Sequence, residues 1–129
     1  SMVNLPGLKE LIESISRERN LPRNAVQNAL REALLKGYER YRRAQNLDKK
    51  HFEEEYFDNF EVELDVEEQG FRVLATKTIT EEVTNSDHEI SLKDVQEFAG
   101  DAAQIGDSVL VDVTPDKEEF GRMAAMQTK

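Results

Sequence analysis

The sequence contains no cysteine and no tryptophan in 129 residues. The missing thiols exclude disulfide scaffolds, thiolate zinc sites, iron–sulfur clusters and cysteine nucleophiles. Long apolar runs are missing too. Each unbroken stretch is only a few residues, against the ~20 that a spanning helix requires, so no membrane span is expected. The start, Ser1-Met2-Val3-Asn4, has neither the basic nor the apolar segment of a signal peptide. Ser1 ahead of Met2 reads as a tag-cleavage scar, and the expectation is a cytoplasmic protein beginning at Met2. Internal repeats and low-complexity tracts are absent as well. What remains is the length of one domain, enough to bury roughly two-thirds of the unfolded chain's surface without a disulfide or structural metal.

Charge is plentiful but divided. The whole chain carries 17 Lys+Arg and 27 Asp+Glu, a formal net charge of −10. Residues 1–50 hold 11 basic against 6 acidic side chains, a balance of +5, and residues 51–129 hold 6 against 21, a balance of −15. A uniformly acidic coat would argue only for solubility and against nucleic acid. Opposite signs let one face approach phosphate while the other repels it or meets a basic partner.

The spacing of apolar residues predicts helices first. Leu5, Leu8, Leu11, Ile12 and Ile15 recur at helical intervals, with Asn4 as a candidate cap and Pro6 in the first turn. A second helix runs from Pro22 to about Ala44, with Ala25, Val26, Ala29, Leu30, Ala33, Leu34, Tyr38 and Tyr41 along one side. Alanines 25, 29 and 33 leave room for a close neighbour, which an antiparallel first helix would supply. The stretch His51 to Asp58 reads as a partly ordered connector or short helix, too acidic for a core and too aromatic for a pure linker. The period then changes to two. Phe60, Val62, Leu64 and Val66 alternate with Glu61, Glu63, Asp65 and Glu67, as in a strand with one wet face. Glu68-Gln69-Gly70 turns the chain, with Gly70 able to take a positive φ, and Phe71 to Thr80 returns as the second strand of a hairpin. His88-Glu89-Ile90 is a short strand, and Ser91 caps a helix to about Phe98. Ser108 to Val113 is a third main strand, bounded by Pro115, and Phe120 to Lys129 is helical, with Phe120, Met123, Ala124 and Gln127 on one side. The expected class is α+β: an N-terminal helical hairpin, then a small mixed β-sheet carrying one or two helices, then a final helix.

No chemistry-bearing constellation emerges. His51 and His88 are the only imidazoles, and neither belongs to a nucleophile elbow, phosphate loop or HExxH pattern. The row Glu61, Glu63, Asp65 and Glu67 faces solvent along a strand, whereas calcium and magnesium need oxygens that converge. No catalytic centre, cofactor or metal is therefore expected. On the second helix Glu32 precedes Lys36, and Glu39 precedes Arg43, by the four residues that favour ion pairs. Arg31, Arg40 and Arg42 lack such a carboxylate. They stand as candidates for phosphate contact or as a merely solvated face. Leu35 projects to the polar side and, beside Tyr38, offers an apolar strip to a partner.

Three stretches in order carry a family likeness. They are Leu21-Pro22-Arg23-Asn24-Ala25-Val26-Gln27-Asn28-Ala29-Leu30-Arg31-Glu32-Ala33-Leu34, then Ile90 to Val95 with Gln104-Ile105-Gly106-Asp107 leading into the valine strand, then Phe120-Gly121-Arg122-Met123 to Lys129. Together they resemble the N-terminal domain of the bacterial transcription termination/antitermination factor NusA, over essentially all of residues 2–129. The resemblance implies a helical part at about 4–50, an α/β part at about 58–118 and the start of a connector helix at about 120–129. In that family the chain would continue into S1 and KH domains. It also implies a monomeric domain with no enzyme activity that docks on RNA polymerase near the β flap at the RNA exit channel. There it would modulate pausing, intrinsic termination and antitermination. Contacts to nascent RNA would be weak in this domain and belong mainly to the S1 and KH domains. Polymerase-contact candidates are then Leu35 and Tyr38, or else the face of the first helix, and RNA-proximal candidates are Arg31, Arg40 and Arg42. Two rival readings remain from the residues alone: an acidic adaptor or nucleic-acid mimic that binds another basic protein, and a metal-dependent hydrolase using the carboxylate row.

Overall fold

Helical spacing in the first third of the chain folds as two helices, α1 (Leu8–Arg19) and α2 (Arg23–Ala44), in the computed structural model, which describes residues 1–45 and 52–126. Asn20 ends α1 in the left-handed conformation that asparagine tolerates, and its N–H reaches the Ser16 carbonyl. Pro22 then opens α2 one residue ahead of its first turn, where a missing N–H costs nothing. The link is short enough to fold α2 back on α1, and Leu8 and Ile12 pack against Val26, with Leu5, Ile15 and Leu30 around them. Ala29 and Ala33 are exposed, so the seam is built from Val26 and Leu30 instead of the alanine row.

Asn4 is not the cap of α1. Val3–Asn4 forms a short strand, β1, paired with Phe71 and Gly70. The helix starts from Gly7 at φ +83, and the Gln69 side chain accepts the Lys9 N–H at 3.0 Å. A partner distant in sequence thus replaces the local cap.

Among the described residues four further strands follow: β2 (Phe60–Asp65), β3 (Gly70–Thr80), β4 (Glu89–Ser91) and β5 (Ser108–Asp112). Every pairing is made to β3. Leu74 and Ala75 pair with both β2 and β5, Gly70 and Phe71 with both β1 and β2, and Thr78 with both β4 and β5. Hence β2 and β4 lie along one edge of β3, and β1 and β5 along the other. Only β4 runs parallel to it, so the sheet is mixed, as the sequence predicts.

Alternation sorts the sheet into a core face and a wet face. Phe60, Val62, Phe71, Val73 and Ala75 are buried together with Tyr38 and Tyr41 of α2. Burying side chains such as Phe71 and Val73 contributes about 1.5–3 kcal/mol each. On the other face Glu61, Glu63, Thr76 and Thr78 are exposed. The turn before β3 differs in detail from expectation. Gln69 takes the positive φ of +53. Gly70 serves another purpose, because a Cβ there would lie 2.5 Å from the Val3 carbonyl oxygen.

Helix α3 (Leu92–Ala99) begins where Ser91 accepts the Asp94 N–H at 3.1 Å, the predicted cap. The last helix, α4 (Lys117–Met126), starts three residues before the predicted Phe120, because Asp116 accepts the Glu119 N–H at 2.7 Å. Its Met123 completes the main core. The predicted continuation through Gln127 to Lys129 lies outside the described residues.

The aromatic, acidic connector does enter the core. Glu54–Phe57 is a single 3₁₀ turn, and Phe57 is 2% exposed. Its ring meets Tyr56, Phe60 and Phe52 edge-on at centroid distances of 4.9, 5.3 and 5.6 Å. The carboxylates of Glu53, Glu54 and Glu55 stay in solvent while the interleaved rings turn inward. His51 lies outside the described residues.

Candidate functional site

Arg42 and Arg43, at the C-terminal end of α2, hold the helix against the connector. Arg42 Nη2 lies 3.0 and 2.9 Å from the two carboxylate oxygens of Asp87, and Nη1 donates to the Tyr38 hydroxyl at 3.0 Å. Tyr56 donates to the same carboxylate at 2.6 Å, and Asn59 donates to the Asp87 carbonyl at 2.9 Å. Burial opposes the Arg42 charge. The Tyr38 hydroxyl and the Asp87 carboxylate outweigh it and raise the guanidinium pKa. Burial pushes the Tyr38 hydroxyl up, more than Arg42 draws it down. Arg43 directs its terminal nitrogens to the carbonyls of Phe52, Glu53 and Glu54 at 2.8, 2.9 and 3.2 Å. Both guanidinium groups also lie over the Phe57 ring, at 5.5 and 5.2 Å.

This placement corrects several expectations. Local spacing leaves Arg42 available for phosphate, but its carboxylate is 45 residues away in sequence. The same spacing gives Arg43 to Glu39, and the carbonyls of Phe52, Glu53 and Glu54, at the entry to the 3₁₀ turn, accept from it. Tyr38 is 4% exposed and stands 5.7 Å from Phe60, and Leu35 packs against the same core. No exposed Leu35–Tyr38 strip exists, because α2 meets α1 with its first half and the sheet with its second, which widens its buried face. Arg31 and Arg40 remain on the outside, half-exposed and exposed respectively, and Arg31 donates to Asn28.

The exposed apolar surface lies elsewhere on the hairpin. The β1–α1 segment, α1, α2 and α4 enclose a groove of about 580 Å³ lined by Leu5, Leu8, Leu11, Leu30, Leu34 and Phe120. Leu11 is 47% exposed along it. A second cavity of about 650 Å³ adjoins it, sharing Asn4, Pro6 and Phe120 and reaching Pro115 and Lys117. The leucine stripe was legible in the sequence. That it is wider than the surface covering it was not.

The carboxylate row divides among cations. Glu63 pairs with Arg72 at 3.0 Å, Asp65 lies 4.0 Å from the same arginine, and Glu67 pairs with Lys9 at 3.4 Å. Among the described residues no three His, Asp or Glu side chains gather in a way that could hold a metal ion. His88 Nε2 lies 2.9 Å from the Tyr56 carbonyl oxygen, within the connector's packing. No helix among the described residues is long and apolar enough to cross a membrane.

Comparison with known proteins agrees with this architecture. The chain is 28% identical over 123 residues to the transcription termination/antitermination protein NusA of Bacillus subtilis (strain 168), covering 95% of this chain and 29% of that protein. It is likewise 28% identical over 121 residues to the NusA of Halalkalibacterium halodurans, covering 93% of this chain and 28% of the relative. The chain thus spans under a third of the length of these relatives. In structure it resembles the solution structure of the N-terminal domain of B. subtilis NusA, with a TM-score of 0.58 at 22% identity over 94% of this chain and 92% of that one. The family described as the NusA N-terminal domain matches residues 7–129, and the chain belongs to that family.

Proposed function

We propose that this domain docks as a monomer on RNA polymerase near the β flap at the RNA exit channel and modulates pausing, intrinsic termination and antitermination. The observation that carries this reading is the leucine-lined groove of about 580 Å³ between the helical hairpin and α4. Apolar, open and flanked by helices, it suits an amphipathic helix laid into it, a recurring mode of peptide recognition. Leu11 is its exposed lip. Membership in a family of transcription termination/antitermination proteins supports RNA polymerase as the partner in this reading. Leu35 and Tyr38 act in this reading from beneath, by fixing α2 on the sheet.

Arg31 and Arg40 then serve nascent RNA only after docking. The free chain carries −10, and a few phosphate contacts lose to that repulsion and to salt. Once polymerase holds α2 beside the transcript, the local phosphate concentration is high and each contact need supply little affinity. Arg42 belongs to the fold, since Asp87 already neutralises it. The test is titration of the ¹⁵N-labelled domain with a flap-tip peptide, together with co-elution with core polymerase. Shifts should centre on Leu8, Leu11, Leu30 and Leu34, and Leu11→Asp should abolish both. Unchanged groove resonances with no co-elution would end the proposal.

A further inference from the structure

Among the described residues the most exposed large apolar side chain lies neither in the groove nor in the Arg42 network. Phe98, near the C-terminal end of α3, is 59% exposed, and Ile105 in the following loop is 51% exposed. Scattered single apolar residues need no explanation, but Phe98 belongs to a stripe. The Ser91 cap sets where α3 begins, and Leu92, Val95, Phe98 and Ala99 then share one side of the helix. The sheet covers that side only at its start. Val95 is fully buried and Leu92 half-buried, while Phe98 and Ala99 are bare.

The bare part is also held in place. The helix ends at Gly100, φ +76, and the loop is tied back to β3 where the Gly106 N–H donates to the Ile79 carbonyl and the Ile79 N–H to the Asp107 carbonyl, both at 2.8 Å. Phe98 therefore follows a buried valine by three residues, and Ile105 directly precedes a backbone anchor. Ordering them against a partner costs little further entropy. The segment that carries them is acidic. From Asp94 to Asp107 the chain carries Asp94, Glu97, Asp101 and Asp107, with Lys93 just ahead of them as the nearest cation in sequence. Such a segment repels phosphate and attracts cationic side chains.

We propose that Phe98 and Ile105, with Asp94, Glu97, Asp101 and Asp107 of the same segment, form a docking surface for a basic amphipathic helix of a partner protein. Its apolar side covers the phenylalanine and isoleucine, and its lysines or arginines reach the four carboxylates. The aromatic anchor supplies most of the affinity and the acidic segment sets the association rate. This surface is separate from the leucine groove and does not depend on it.

The probe is a synthetic Leu/Lys amphipathic helical peptide titrated into the ¹⁵N-labelled chain, with a sequence-scrambled peptide of the same composition as control. Saturable shifts should centre on residues 94–107. Phe98→Ser, an exposed position at which folding is checked by the unliganded spectrum, should weaken binding roughly tenfold. The pair Glu97→Lys and Asp101→Lys should weaken it at low salt and less at high salt. Leu11→Asp, in the groove, should leave this affinity unchanged and so separates failure here from failure of the polymerase reading. Equal binding of the scrambled peptide, shifts centred on the groove, or unchanged affinity in folded Phe98→Ser would each overturn the proposal.

Discussion

Replacing Asp87 by asparagine keeps the side-chain shape and removes the charge that Arg42 faces, so it isolates what the network contributes. Two unit charges about 3 Å apart attract by roughly 5–6 kcal/mol at an effective dielectric constant near 20, before desolvation is subtracted. Exposed pairs retain about 0–1 kcal/mol of that, and removing one partner from a fully buried pair costs about 3–5 kcal/mol. The Arg42 and Asp87 side chains are 23% and 18% exposed, nearer the buried limit. Asp87 also accepts from Tyr56 at 2.6 Å, a charge-assisted bond that weakens with the carboxylate's loss. We expect Asp87→Asn to cost about 2–3 kcal/mol. Arg42→Met alone should cost about as much, and the double variant less than their sum, leaving a coupling of about 1.5–2 kcal/mol. Urea unfolding followed by far-UV circular dichroism and tyrosine fluorescence reads all four corners of the cycle, with no tryptophan to obscure the signal. The coupling should persist in about 0.5 M salt, because partly buried pairs are screened little. A coupling below about 0.5 kcal/mol would put this pair with ordinary surface pairs and refute the reasoning.

Phe57→Ala should cost about 3–5 kcal/mol in the same assay, because the ring is 2% exposed and its removal leaves a cavity under both guanidinium groups; a loss under about 1 kcal/mol would show the connector to be dispensable. Gly70→Ala should destabilise by about 1–3 kcal/mol, since the new methyl would sit 2.5 Å from the Val3 carbonyl and force β1 off β3; retained amide protection at Phe71 would contradict this. The N–H groups of Thr84 and Asn85 hold the Glu89 carboxyl below the usual carboxylate range. Its contribution is therefore full above the unfolded carboxyl's pKa and is lost as pH falls through the lower folded value. Glu89→Gln should melt below the parent at neutral pH, and the gap should shrink as pH falls below the unfolded carboxyl's pKa and through the lower folded one; a gap that stays constant on acidification would show that the charge is not what the loop uses.

What the sequence disclosed and what it hid divide along contact distance. The turn from α1 to α2, the Ser91 cap and the alternation of Phe60, Val62 and Leu64 are decided by neighbours a few residues away, and periodicity finds them. The start of α1 is decided by Gln69 and Gly70, some sixty residues downstream, so the local signal at Asn4 misleads. The site residues fail in the same way. Arg42 looks unpaired at i−4 because its carboxylate arrives from the loop before β4, and Leu35 looks solvent-facing because a helical projection assumes one neighbour where α2 has two.

The two-signed charge balance gains a structural meaning from that same loop. Had the basic and acidic segments simply packed side by side, their attraction would be diffuse and salt-sensitive. Instead Asp87 reaches in from the acidic part and neutralises one half-buried arginine, while Arg43 is engaged by carbonyls that carry no net charge. Of the outward cations on the same helix, Arg31 lies about three turns ahead of that junction and Arg40 within one turn of it. The acidic segment at Asp94 to Asp107 belongs to the opposite part of the chain, on α3 and its loop. The fold thereby keeps a cationic helix and an acidic segment on separate elements, with Arg42–Asp87 the half-buried contact between the two parts and Lys9–Glu67 an exposed one, so the proposed contacts to nascent RNA and to a basic helix would draw on different side chains.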